Sequence, residues 1–160
     1  MAIRTIRTKE DEILYKKSRE IKEITPRIRE LVDDMFETMY HADGVGLAAV
    51  QVGILKRIFV IDIGEGKYVF INPVIVSKEG EQIDVEGCLS FPNIRGNVLR
   101  PEKIIVKAYD LNFSEFELEA SGLFARAICH EYDHLEGKVF VDKIEEDILT
   151  DNTSEEEEDN

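Results

Sequence analysis

The sequence predicts an α+β protein, with mostly antiparallel β-sheets packed around a central helix that carries the motif HExxH. Three observations lead there. Short runs of β-branched and aromatic residues fill the middle of the chain. Apolar residues recur at helical spacing in one stretch before those runs and one after them. Strands and helices do not alternate, which argues against a doubly wound parallel sheet.

The first helix is expected over roughly Pro26 to His41. Thr25 is placed to cap it, and proline suits the first helical position. Ile28, Leu31, Val32, Met35 and Met39 form its apolar stripe, and Gly44 stops the pattern. Arg57 to Ile63 and Lys67 to Ile71 read as strands joined by Gly64-Glu65-Gly66, a hairpin signal. Further strands are expected at Val74 to Val76, Gln82 to Val85, Lys103 to Tyr109 and Phe116 to Ala120. Pro92, Gly96 and Pro101 mark a loop between Val85 and Lys103. Ser121 is placed to cap the second helix through its side chain, and Gly137 to end it.

The chain has 160 residues, of which 43% are hydrophobic and 34% charged, as in a soluble domain that buries its own core. No apolar run approaches the roughly 20 residues that span a bilayer, so no membrane partner is expected. The start, Met1-Ala2-Ile3-Arg4-Thr5, lacks the apolar stretch of a signal peptide. With only Cys88 and Cys129, a disulfide framework is not expected, and the cytoplasm is the expected location. A net charge of −14 argues against binding nucleic acid through its phosphates. Nine of the acidic residues fall between Ile144 and Asn160, with no Lys or Arg among them, leaving −5 on the rest. Residues 1–143 are therefore expected to be a single catalytic domain, and 144–160 a solvated, partly disordered acidic tail.

The chemistry is concentrated in His130-Glu131-Tyr132-Asp133-His134. Residues four apart share a helix face, so both imidazoles can hold one metal ion, with Glu131 beside them as general base. A catalytic metal needs a third protein ligand and an open position for water. No His or Cys follows His134, and Glu136 is too near in sequence to share the site. Upstream stand His41, Cys88 and Cys129. Cys129 points about 100° away around the helix, and reads as a small buried hydrophobe. His41 suits the end of the first helix, where a cation complements the dipole. Cys88 remains, in Glu86-Gly87-Cys88-Leu89-Ser90; by residue type it would be a core thiol, and the missing ligand reverses that preference. Glu86 and Asp133 are candidate partners for the ligating histidines, though Asp133 reads equally well as a solvated carboxylate.

Three blocks can now be taken together: Gly44-Val45-Gly46-Leu47-Ala48-Ala49-Val50-Gln51, Glu86-Gly87-Cys88-Leu89-Ser90 and His130-Glu131-Tyr132-Asp133-His134. In this order and spacing they resemble the three signature motifs of peptide deformylase, from the first helix to Val139-Phe140-Val141-Asp142. That family removes the formyl group from the N-terminal methionine of new bacterial proteins. The resemblance implies that Cys88, His130 and His134 ligate the metal. It implies iron(II), with zinc, nickel or cobalt as substitutes, and N-formylmethionyl nascent polypeptides as partners. Water activated to hydroxide on the metal would attack the formyl carbon, with Glu131 as general base. Gln51 and the backbone N–H of Leu89 would form the oxyanion hole. Gly46 would meet the substrate through its backbone, and Arg95 matches a position near the substrate channel. Alone, Gly44-x-Gly46 reads as a helix stop and turn, and Gln51 as a surface amide. The chain departs from the family in Lys9-Glu10-Asp11-Glu12, where a proline-containing turn is common, and in Cys129, where Gln is common. Its acidic C-terminus does not support the basic-helix docking on the ribosome seen in some members, so any ribosome contact is expected to be transient. Two other readings stay open: a different metal-dependent amide hydrolase or peptidase, and a metal or redox sensor using Cys88. The intact Glu131 argues against the sensor, since a structural site needs no base.

Overall fold

The computed structural model describes residues 2–145; residues 146–160, most of the stretch read as an acidic tail, lie outside the described residues. Helix α1 spans Pro26–His41, and Thr25 accepts a hydrogen bond from the backbone N–H of Ile28, as its cap position requires. Seven strands follow: β1 (Gly46–Ala48), β2 (Ile58–Ile61), β3 (Tyr68–Glu79), β4 (Gln82–Cys88), β5 (Phe91–Arg100), β6 (Lys103–Tyr109) and β7 (Glu115–Ser121). Helix α2 spans Gly122–Leu135. One antiparallel sheet has the order β1-β2-β3-β6-β7, and β4 and β5 form a separate hairpin. The expected α+β architecture is what the chain adopts.

The large sheet sits between the two helices because its strands alternate. Phe59 and Ile61 of β2 pack in the cluster that contains Ala125, Ile128 and Leu135 of α2. Ile58 and Val60 point to the other face, among Leu31, Met35 and Met39 of α1. Helix α2 is buried without interruption from Ala125 to Glu131, so its metal motif lies inside the molecule. A third, smaller cluster of Leu14, Phe91, Val98, Val139 and Phe140 anchors the β4–β5 hairpin.

Four expectations change. Lys67–Ile71 and Val74–Val76 are parts of one strand, β3, that continues through a register shift. Asn72 absorbs the irregularity at φ +48, and its side chain bonds the backbone N–H and C=O of Ile21 at 3.0 and 2.8 Å. The stretch read as a loop is largely strand β5. Pro92 is tolerated because it stands at the start of a strand that, among the described residues, pairs with no named strand but β4. Gly96 is there for space: a Cβ would come within 2.6 Å of Ile144. Gly46, read with Gly44 as a helix stop and turn, instead opens the short edge strand β1. Ser121 stands at the N-cap of α2, but its side chain makes no capping hydrogen bond among the described residues.

Candidate metal centre

Strand β4 ends at Cys88, and the two-residue turn Leu89-Ser90 sends the chain back as β5, with Cys88 paired to Phe91. This turn holds Cys88 against α2. There the donor atoms of Cys88, His130 and His134 all lie within 4.8 Å of one another. Cys88 Sγ is 3.3 Å from His134 Nε2. His130 turns Nδ1 to Glu86 Oε1 at 2.8 Å, which leaves Nε2 for another partner. The Nδ1 of His134 is buried with no partner among the described residues. One half-buried thiol and two buried imidazoles, converging, are a donor set for iron, zinc, nickel or cobalt, so the residues fit a metal ion.

Electrostatics keep the site in this shape. Glu86 is buried and receives Arg100 through Nε and Nη2, both at 2.8 Å, and Arg126 through Nη1 at 2.6 Å. Burial alone would raise its pKa, but these partners and His130 hold it well below the usual carboxylate range. Burial also opposes charge on His130, yet its contacts with Cys88 and Glu86 outweigh that and raise it to about 10. Burial drives His134 well below the ordinary histidine value. Glu131 is pushed up to about 7, chiefly by burial, and its Oε1 has no partner among the described residues.

A pocket of about 520 Å³ opens on this cluster, lined among others by Gly46, Gln51, Leu89, Arg95, His130 and Glu131. Gly46 is at the edge of β1, where a Cβ would stand 2.6 Å from Glu131 Oε2. Gln51 is buried, with its amide nitrogen 3.5 Å from Cys88 Sγ. Leu89 lies in the hairpin turn, and Arg95 is exposed on β5 at the pocket wall. All eight residues singled out in the sequence thus line the pocket or belong to the donor cluster beneath it. His41 is exposed at the end of α1. Cys129 is buried, its thiol pushed up to about 11 by that burial, and it is not among the converging donors. Glu86 meets a histidine as expected. Asp133 does not: it binds Arg100 Nη1 at 2.7 Å and Lys143 Nζ at 2.8 Å. Sequence reasoning missed Arg100 and Arg126. Arg126 carried a signal, since an arginine between Ala125 and Ala127 on a buried helix needs a carboxylate.

The family model for polypeptide deformylase matches residues 3–148. The chain belongs to that family. Peptide deformylase is a metal-dependent hydrolase that acts on the N-formyl amide of nascent peptides, and that is the activity of this chain's family. The peptide deformylase of Caldicellulosiruptor bescii is 59% identical over 144 residues, covering 90% of this chain and 87% of that protein. Peptide deformylase 1 of Clostridium acetobutylicum is 59% identical over 146 residues, covering 91% and 97%. The crystal structure of the Thermotoga maritima peptide deformylase superposes with a TM-score of 0.89 at 39% identity, over 91% of this chain and 99% of that one. The Ehrlichia chaffeensis deformylase, crystallised with actinonin, gives 0.89 at 39% identity over 98% and 99%.

Proposed function

We propose that Cys88, His130 and His134 hold one iron(II) ion and that this site removes the formyl group from N-formylmethionyl nascent chains. The observation that carries the reading is Glu131. It is a buried carboxyl with an unpartnered oxygen, beside the three donors and at the floor of the pocket. The bound ion would supply Lewis acidity, activating a water and polarising the formyl oxygen.

The chain's own residues do the rest. The formyl-methionyl end enters the pocket as an extended strand. The outer edge of β1 at Gly46 faces the pocket unpaired among the described residues, and offers it backbone partners. Glu131 takes a proton from the attacking water and returns it to the amide nitrogen as the C–N bond breaks; its raised pKa suits both tasks. The Gln51 amide N–H and the Leu89 backbone N–H receive the negative charge that builds on the formyl oxygen. Arg95 contacts the peptide further along at the rim. The products are formate and a free N-terminal amine.

The enzyme works in the cytoplasm on chains leaving the ribosome, with at most transient ribosome contact and no nucleic-acid binding of its own. Residues 1–143 form the catalytic domain, and the acidic end from Asp151 is dispensable. Deletion from Asp151 should leave kcat/KM and Tm unchanged; a large fall in either refutes that boundary. The reading as a whole is tested by formate release from formyl-Met-Ala-Ser, using enzyme prepared anaerobically with iron(II). Fast, saturable release is expected. Hydrolysis of unformylated peptides with none of the formylated one, or one metal per chain with no release, overturns it.

A further inference from the structure

We infer that Ser90 is a positioning residue that sets the direction of the Gln51 amide; the inference rests on the proposed role of Gln51. The Gln51 side chain is buried and anchored at both ends of its amide. Its Oε1 accepts the backbone N–H of Ala48 at 2.9 Å. Its Nε2 donates to Ser90 Oγ at 3.0 Å and faces Cys88 Sγ at 3.5 Å. An amide nitrogen carries two N–H bonds in one plane. With one of them held by Ser90, the other is turned toward Cys88, which lines the pocket. The Ala48 N–H forbids the flipped amide, because it would then face an NH₂ group instead of an oxygen.

Ser90 itself is fully buried and does not line the pocket, so it does not meet the substrate. It stands in the turn immediately after Cys88 and Leu89, so the segment that places the thiol and the Leu89 N–H also fixes the Gln51 donor. Without the hydroxyl, only Ala48 and the long contact with Cys88 limit rotation about the last side-chain bond of Gln51. The donor would then spread over several directions, and it is needed in one. Such an error in the placement of a transition-state donor is read in kcat and leaves KM alone.

The test is a double-mutant cycle on the iron(II) enzyme, with formyl-Met-Ala-Ser as substrate. Ser90→Ala should lower kcat by about tenfold, part of what loss of a whole oxyanion donor costs, with KM within about twofold and one metal per chain. Ser90→Thr keeps the hydroxyl and should restore kcat to within about threefold of the parent. In a Gln51→Ala background, Ser90→Ala should change kcat by less than about twofold. An equal loss in both backgrounds would mean that Ser90 merely supports the turn, and overturns the inference while leaving Gln51 in place. Wild-type turnover by Gln51→Ala removes Gln51 from the reaction and the inference with it. If Ser90→Ala does not fold, Ser90→Gly, which also lacks the hydroxyl, takes its place in the same cycle, with the same outcomes.

Discussion

Glu131 and Gly46 are in close apposition, and each constrains the other. The carboxyl of Glu131 is buried, and burial pushes its pKa up to about 7. Glu131→Gln keeps the shape and removes the base. It should lower kcat by about 10²- to 10⁴-fold while metal content stays at one per chain, and normal turnover would eliminate Glu131 as the proton carrier. Gly46 is needed for what it lacks. A Cβ there would lie 2.6 Å from Glu131 Oε2 and 3.1 Å from its Cγ and Cδ. Gly46→Ala therefore has to displace the Glu131 carboxylate from its place in the pocket lining. About 10²-fold should be lost from kcat/KM with an unchanged circular-dichroism spectrum; a variant as active as the parent shows that the carboxylate has room to move.

At the scale of elements, α1 is held to the chain's start by one carboxylate. Asp34 accepts the backbone N–H of Ala2 at 2.7 Å and Arg4 Nε at 2.9 Å, while Thr38 accepts the backbone N–H of Arg4 at 2.8 Å. Burial pushes the Asp34 pKa up, but these hydrogen bonds outweigh it, and the carboxyl stays below its ordinary 3.8. A folded-state pKa below the unfolded one gives stability that is complete above about 3.8 and lost as pH falls through the lowered value. Urea midpoints taken from pH 5 to pH 2 should therefore fall less steeply for Asp34→Asn than for the parent; parallel curves would show that the contact adds nothing in acid. The elements also differ in how legible they were. The stripe Ile28, Leu31, Val32, Met35 and Met39, and the Gly64-Glu65-Gly66 hairpin, are local signals, and both appear where they were expected. Strand β5 was hidden because Pro92 and Gly96 look like loop residues, and only tertiary structure shows one at the start of a strand and the other making room for Ile144. The three metal-site donors were legible as residue types, whereas the Arg100 and Arg126 pairing with Glu86 depends on three elements meeting and leaves no mark in spacing.

Across the whole molecule, that buried ion-pair cluster decides how far the fold depends on its metal. Glu86 on β4 binds Arg100 on β5 and Arg126 on α2, and Arg100 goes on to Asp133, also on α2. The hairpin that carries Cys88 is thus tied by protein contacts to the helix that carries both histidines. Two apolar clusters fill the faces of the large sheet, and a third lies under the hairpin, each built mainly from apolar side chains other than the metal donors. A small zinc domain is different, because it has no core to fall back on and unfolds when the metal is taken away. Here the ion adds only its binding free energy to a fold that already stands: about 2.7 kcal/mol when free metal is 100 times its Kd. For a chain of this length that corresponds to roughly 5–10 °C in Tm. Chelation should therefore abolish formate release, lower Tm by about that amount, and leave a single cooperative calorimetric transition and an unchanged far-UV spectrum. Loss of the cooperative transition on chelation would mean that the metal, and not the Glu86 ion-pair cluster, joins hairpin to helix.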